Sequence, residues 1–381
     1  MSKYSGINMV EVKKQNRASI FFYLNENGPT SRKVLAEVME LTPSAITQIV
    51  RPLIEDGVLV ETGTSAEERP EGAALSGRKQ VLIDVNYDYR RIFAVNIEAD
   101  HTYLALTNLR GEIVEKKKIR TLKDPAKLLD KVATEGQSWI KESKIPVEGV
   151  SVGIVGEIDA DKGSSIHAYG IWEKEVPVCS ILSEKLSLPC IIENNVKAFA
   201  MAEMAYGYGR TFDNLMVLKW GPGVGSTLII NHSIFDGRHG RAGEIGHMIV
   251  EKNGKKCTCG RRGCLETRVS YNALSEKYPF EMKDFGEEYK KAGDEEKKDL
   301  DKAIDELARS LVNSMTVMSP NRVVLCGEMF AGKEVRQQLI ADTTSYVPAY
   351  NEERILYTNL SDRESYVGPV ASFVLTRMLG M

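Results

Sequence analysis

Over the first sixty residues apolar positions recur at helical spacing in three short blocks. Val12, Ile20, Phe21 and Leu24 alternate with Lys13, Lys14 and Arg17, which predicts a helix from Met9 to Leu24 that Asn27-Gly28-Pro29 stops. Thr30 is placed to cap a second helix carrying Val34, Leu35 and Val38. Thr42 caps a third, opened by Pro43 where a missing N–H costs nothing. Its residues Ile46, Ile49, Val50, Leu53 and Ile54 form one buried stripe, which leaves Ser44, Thr47, Gln48 and Arg51 on the outer face. Pro52 predicts a kink or an end after Arg51. Two strands follow, Gly57 to Glu61 and Arg78 to Ile83.

Three short helices and a strand pair describe a winged helix-turn-helix over residues 1–85, an α+β unit. The outer face of its third helix carries residue types that bond base edges and phosphates, and Arg78 and Lys79 are placed to contact a phosphate strand. The same pattern fits a small helical bundle used for oligomerisation.

From about Tyr87 the pattern changes to α/β alternation. Arg91 to Ile97 and Tyr103 to Leu109 read as paired strands, with Asn108 to Gly111 turning into a third. An amphipathic helix spans Pro125 to Glu142, and Val147 to Val155 and Pro189 to Glu193 are further strands, the second leading into a helix from Asn195 to Tyr206. Leu215 to Asn231 resembles a second copy of the opening hairpin, with GPGVG at residues 221–225. Ser275 to Ser319 is helical and charged, and its stretch Lys283 to Lys302 reads as a solvated face.

Composition narrows the class. The chain has 381 residues, suiting two or three domains, with 43% hydrophobic and 27% charged residues and a net charge of −3. No apolar run approaches the roughly 18 residues that span a bilayer. The first residues lack the apolar core of a signal peptide, which predicts a cytoplasmic protein. Of the six cysteines, Cys179, Cys190 and Cys326 are scattered in apolar segments and read as reduced core thiols.

The other three change the picture most. GEIGH at 243–247 and CTCGRRGCLE at 257–266 place His247, Cys257, Cys259 and Cys264 within eighteen residues, one imidazole and three thiolates. That is the donor set of a closed tetrahedral zinc site with no position left for a reactive water, so the metal is predicted to be structural. Glu244 and Glu266 flank the ligands, and paired carboxylates on a rigid loop suit the vicinal hydroxyls of a sugar.

These two motifs resemble the signature of the ROK family (repressors, open reading frames and kinases), a resemblance covering residues 88–381. It implies an α/β actin-like sugar-kinase fold of two lobes, with 88–205 and a C-terminal helix at 367–381 in the first and 206–366 in the second. It also implies a monosaccharide held by Asn194, Asn195, Glu244, His247 and Glu266. An asparagine that many members use is missing from His167-Ala168-Tyr169-Gly170-Ile171, where His167 is the candidate substitute.

The catalytic parts of the family's kinases are altered. Where those kinases read ENDAN, this chain reads Glu193-Asn194-Asn195-Val196-Lys197, and an amide at Asn195 cannot take the proton of a sugar hydroxyl. Asn96-Ile97-Glu98-Ala99-Asp100 replaces an Asp-x-Gly-x-Thr phosphate loop, Gly221-Pro222-Gly223 a Gly-Thr-Gly, and Gly327-Glu328 a Gly-Gly pair. Glu98 and Asp100 would repel phosphate oxygens. The resemblance therefore implies a non-catalytic, sugar-responsive regulator similar to the xylose-repressor type. Operator DNA, a monosaccharide, a second copy of the chain in a dimer or tetramer, and a sugar-transport protein are its expected partners. A sugar kinase with a DNA-binding appendage and a regulator controlled by a protein partner are the alternatives.

Overall fold

A computed structural model of the chain describes residues 9–65, 80–238, 240 and 242–381. The N-terminal unit is built from α1 (Met9–Asn27), β1 (Thr30–Ser31), α2 (Arg32–Val38), α3 (Pro43–Glu55), β2 (Leu59–Ser65) and β3 (Gln80–Val85). The three strands pair antiparallel in the order β1-β3-β2, so a winged helix-turn-helix is present. Gly28, at φ +73°, ends α1 by donating to the Leu24 carbonyl at 2.9 Å. The cap of α2 is Ser31, not Thr30: its hydroxyl accepts from Val34 N at 3.3 Å, while Thr30 pairs with Ile83 in the sheet. Thr42 caps α3 as expected, accepting from Ala45 N at 3.2 Å.

Pro52 does not end α3, which runs to Glu55. Val50 and Leu53 are fully packed on either side of it, and their burial holds the last turn against the lost hydrogen bond. Ser44, Thr47, Gln48 and Arg51 are all exposed on the outer face. Arg51 bonds Glu55 at 2.7 Å, one turn on. Arg78 and Lys79 lie outside the described residues.

The remainder is two similar five-stranded sheets. The first uses β4 (Arg91–Ile97), β5 (His101–Thr107), β6 (Ile113–Arg120), β7 (Val147–Ile154) and, past a small hairpin of β8 (Glu157–Asp159) and β9 (Ser164–His167), β10 (Cys190–Asn194). Helices α4 (Pro125–Glu142) and α5 (Val178–Leu186) are interleaved, and α6 (Asn195–Tyr206) leaves the end of β10. The second sheet uses β11 (Leu215–Trp220), β12 (Val224–Ile230) and β13 (Ser233–Ile234), then β14 (Arg322–Cys326) and β15 (Ile355–Tyr357). Between these come α7 (Glu266–Val269), α8 (Tyr271–Ser275), α9 (Phe285–Lys291), the long α10 (Asp294–Met318) and, after β14, α11 (Lys333–Tyr346). The strand orders are β10-β7-β4-β5-β6 and β13-β12-β11-β14-β15. Each is an antiparallel meander followed by parallel strands added at the edge of its first strand, so the second hairpin does repeat the first. This is the two-lobed actin-like sugar-kinase fold.

The chain returns to the first lobe in α12 (Glu364–Ser372), which packs on α6 and β4 and continues in a wider turn to Met378. Helix α6 organises much of the molecule. Its N-terminus begins at the mouth of the cleft between the lobes, and its far end meets α1 of the winged helix. There Phe21 stands edge-on to Tyr206 at 6.5 Å, and the Asn25 amide donates to the Ala205 carbonyl at 3.0 Å. Ile20, Phe21 and Leu24 share one continuous apolar core with Phe199, Ala202 and Ala205.

Candidate functional site

A cavity of about 530 Å³ opens between the lobes. At one side of it the loop after β13 folds back on itself. Cys257 N donates to Arg261 O at 2.8 Å, Gly263 N to Lys255 O at 2.9 Å and Leu265 N to Met248 O at 2.9 Å. Gly263 has φ +74° and lies so close that a Cβ would strike the Glu251 carbonyl, so this turn closes only on glycine.

The fold brings together the ligand atoms of His247, Cys257, Cys259 and Cys264, all within 4.8 Å of one another. His247 Nδ1 lies 3.6 Å from the Cys257 sulfur, and the Cys259 and Cys264 sulfurs are 3.7 Å apart. Sulfurs about 2.3 Å from a tetrahedrally held zinc stand about 3.8 Å from each other, so these separations are those of a metal-ready set. His247, Cys257 and Cys264 are buried. Three thiols and an imidazole packed this closely, on a loop otherwise rich in lysine and arginine, suit a soft divalent cation.

The same loop delivers the carboxylates. Glu266 opens α7, and its Oε2 accepts from Val224 N at 3.2 Å. Its other oxygen lies 3.8 Å from the Cys257 sulfur. Burial, opposed by the Val224 N–H and the Cys257 thiol and reinforced by the nearby Glu244 charge, raises its pKa. Two residues on, Arg268 grips Glu306 of α10 through both guanidinium ends, at 2.5 and 2.6 Å, and Glu251 at 2.9 Å. That fork ties the carboxylate-bearing helix to the lobe behind it.

Asn194, Asn195, Glu244, His247 and Glu266 all line the cavity. Asn194 also serves structure. Its Oδ1 accepts from Val196 N and Lys197 N at 2.9 and 3.2 Å, and its Nδ2 donates to Gly156 O at 2.9 Å. It caps α6 and pins the loop after β7. His167 does not line the cavity: its ring stands edge-on to Tyr169 at 4.8 Å, and Tyr169 takes the place at the wall. The Tyr169 hydroxyl donates to Glu157 at 3.1 Å.

The other side of the cleft holds an ion pair absent from the sequence reading. Lys219, at the end of β11, donates to Glu98, just past β4, at 2.6 Å across the lobes. Both side chains are largely buried, at 15% and 17% exposure. Burial would raise the Glu98 pKa, but the Lys219 charge and hydrogen bonds from Lys219, Asn96 and Asn195 outweigh it and hold the carboxyl below 4.5. Glu328 and Glu364 stand close enough to act on the same pair, and burial raises the pKa of each.

With this geometry in view, similarity to known proteins is informative. Residues 92–375 match the ROK family, and residues 15–60 match a winged helix-turn-helix DNA-binding unit. The chain belongs to the ROK family. A xylose repressor of Caldicellulosiruptor bescii is 29% identical over 69% of this chain and 65% of its own length. The Escherichia coli DNA-binding transcriptional dual regulator NagC is 27% identical over 70% of this chain and 65% of its own. For these two relatives the match spans about two thirds of their length. A further Caldicellulosiruptor relative, also named for xylose repression, is 25% identical over 97% of both chains.

Among solved structures, a ROK family transcriptional regulator homologous to the E. coli MLC protein superposes with a TM-score of 0.77 at 20% identity, over 97% of this chain and 98% of that one. A ROK glucokinase from Streptomyces griseus, in complex with glucose and AMPPNP, superposes with a TM-score of 0.62 at 20% identity, over 74% of this chain and 98% of the kinase. The ROK kinase fold thus accounts for the lobes and leaves the N-terminal unit as the addition. A winged helix-turn-helix joined to a ROK domain is the architecture of a transcriptional regulator. Within this ROK domain the Asn195 amide is bonded to Glu98. Among the described residues no helix is long and apolar enough to cross a membrane.

Proposed function

We propose that this chain is a sugar-responsive repressor of carbohydrate-utilisation genes, a cytoplasmic homodimer whose ROK domain binds a monosaccharide and does not phosphorylate it. One observation carries the reading: carboxylates beside a thiol cluster line one side of the cleft, while an internal lysine–glutamate pair closes the side where the kinase resemblance would put phosphates. A sugar lying between Glu244, Glu266, His247 and Asn195 would give its hydroxyls to the carboxylates, with Asn194 holding the α6 cap behind them. Zinc at His247, Cys257, Cys259 and Cys264 would be structural, fixing the loop in register.

The winged helix, residues 1–85, would read an operator half-site through Ser44, Thr47, Gln48 and Arg51, with Arg78 and Lys79 on a phosphate strand. Residues 88–381 form the sensor. A twofold dimer would match a palindromic operator. Helix α6 is the route between the two: it begins at Asn195 in the cleft and ends against α1, about 18 Å away at 1.5 Å per residue. A sugar that favours one closure of the lobes shifts α6 and, with it, the pose of the winged helix.

The test is fluorescence anisotropy of the purified chain on DNA from upstream of its own gene, at fixed salt. It would be titrated with aldoses including xylose, N-acetylated hexosamines and their phosphates. One sugar class should change DNA affinity. DNA binding indifferent to every sugar would move control to a protein partner such as a sugar-transport component, and sugar-dependent ATP turnover would restore the kinase reading.

A further inference from the structure

A second cavity, of about 180 Å³, lies at the joint between α1 and the ROK domain, at the opposite end of α6 from the sugar cleft. Three guanidinium groups converge on it: Arg110 from the turn between β5 and β6, Arg210 just past α6, and Arg363 immediately before α12. Asn25 of α1, Tyr206 and Asn359 complete the polar wall, and among the described residues no carboxylate lines it.

Arg32, Arg90 and Arg268 each pair with a carboxylate, whereas Arg322, Arg336 and Arg354 bond carbonyls. Arg110, Arg210 and Arg363 likewise form no ion pair among the described residues. Instead they are tethered by carbonyls and a ring. Arg363 donates to Arg110 O at 2.9 Å, Arg210 donates to Gly207 O at 3.2 Å and to Asn25 O at 3.1 Å, and Arg110 stands 5.2 Å over the Tyr87 ring. The buried Glu203 carboxyl acts on Arg210, but no carboxylate pairs directly with any of the three among the described residues, so like charges gather round a cavity where an anion would relieve their repulsion.

We propose that this pocket is a second effector site, taking a phosphate dianion either free or as the head of a phosphomonoester. A tetrahedral dianion offers acceptors to several guanidinium forks at once, which a single carboxylate does not. At roughly 30 Å³ per water the cavity has room for about six, enough for a phosphate group with part of its hydration. The site bears on DNA binding through Asn25. Arg210 donates to the Asn25 backbone, and the Asn25 amide donates to Ala205, so an anion that draws on Arg210 acts on the seam between α1 and α6.

Isothermal titration of the full chain with sodium phosphate and, separately, glucose 6-phosphate, against sodium chloride at matched ionic strength, tests the site. Saturable binding of at least one is expected, weakened at least tenfold in the double variant Arg110→Gln/Arg363→Gln. Xylose or another monosaccharide bound by the wild type should still bind that variant, which also reports that it is folded. Should the double variant not fold, Arg110→Gln alone, at an exposed position, serves, with a several-fold loss expected. Equal affinity for both anions identifies free phosphate as sufficient, and tighter binding of the ester identifies a phosphomonoester. The proposal is overturned by no saturable binding of either anion, by affinities unchanged in the arginine variants, or by phosphate-ester binding that disappears in Glu244→Ala, which would place it in the sugar cleft.

Discussion

The two faces of the interlobe cleft are built from the same fold and treated in opposite ways. On one, a closely spaced imidazole and three thiols brace a loop that presents Glu244 and Glu266 to the cavity. On the other, Glu98 and Lys219 satisfy each other at 2.6 Å, where the proposed reading puts the phosphate side of a kinase cleft. On the first face Glu266 accepts from Val224 N through one oxygen and lies near the Cys257 sulfur through the other, while burial raises its pKa. The second is internally neutralised and surrounded by Glu328 and Glu364, so an incoming triphosphate would meet carboxylates. The contrast is local: one face presents carboxylates beside a thiol cluster, and the other is closed by a salt bridge between the lobes.

The difference can be broken from either side. Cys259→Ser should have the largest effect, since a tetrahedral site loses one of four ligands. Metal analysis should fall from about one zinc per chain towards none, with a loss of at least about 3 kcal/mol in stability. Unchanged metal content would remove zinc from the account. Lys219→Met should cost about 3–5 kcal/mol in urea unfolding by stranding a buried Glu98, with metal content untouched. The double variant Glu98→Gln/Lys219→Met should recover most of that loss, because no lone charge remains.

A smaller and more local effect is expected for Glu244→Ala. Removing a charged acceptor should weaken the monosaccharide by roughly 10- to 100-fold, about 1.5–3 kcal/mol, while the melting temperature changes little. The smallest effect is in pH. Glu98 has a folded pKa below its ordinary 4.5, so the native state binds fewer protons than the unfolded chain just beneath that value. Its contribution is therefore complete above pH 4.5 and is lost as pH falls through the lowered folded value. Comparing wild type with Glu98→Gln between pH 3 and 6 should show that slope only in the wild type.

How legible these features were in the sequence follows from how local each one is. The thiol cluster is a matter of spacing within eighteen residues, and the α/β repeat of strand periodicity, so both could be read before folding. The N-cap of α2 was misplaced by one because Thr30 and Ser31 are both good caps, and sheet pairing of Thr30 with Ile83 decides between them. At Pro52 the tertiary burial of Val50 and Leu53 overrides the local penalty, which no local pattern shows. The capping role of Asn194 at the turn from β10 into α6 carried no sequence signal of its own, although the residue does line the cavity. Lys219 carried no signal at all: its partner is 121 positions away, and the pair exists only once two lobes close. The three arginines of the joint come from segments far apart in the chain and are likewise invisible without the fold.

The most direct test of the central claim is calorimetric titration of the same metal-loaded protein, first with a panel of monosaccharides and then with Mg–ATP in the presence of the best sugar. The account predicts saturable sugar binding and no heat of nucleotide binding, because Glu98 and Lys219 already fill the phosphate face. Tight Mg–ATP binding, or heat from sugar phosphorylation, would contradict it.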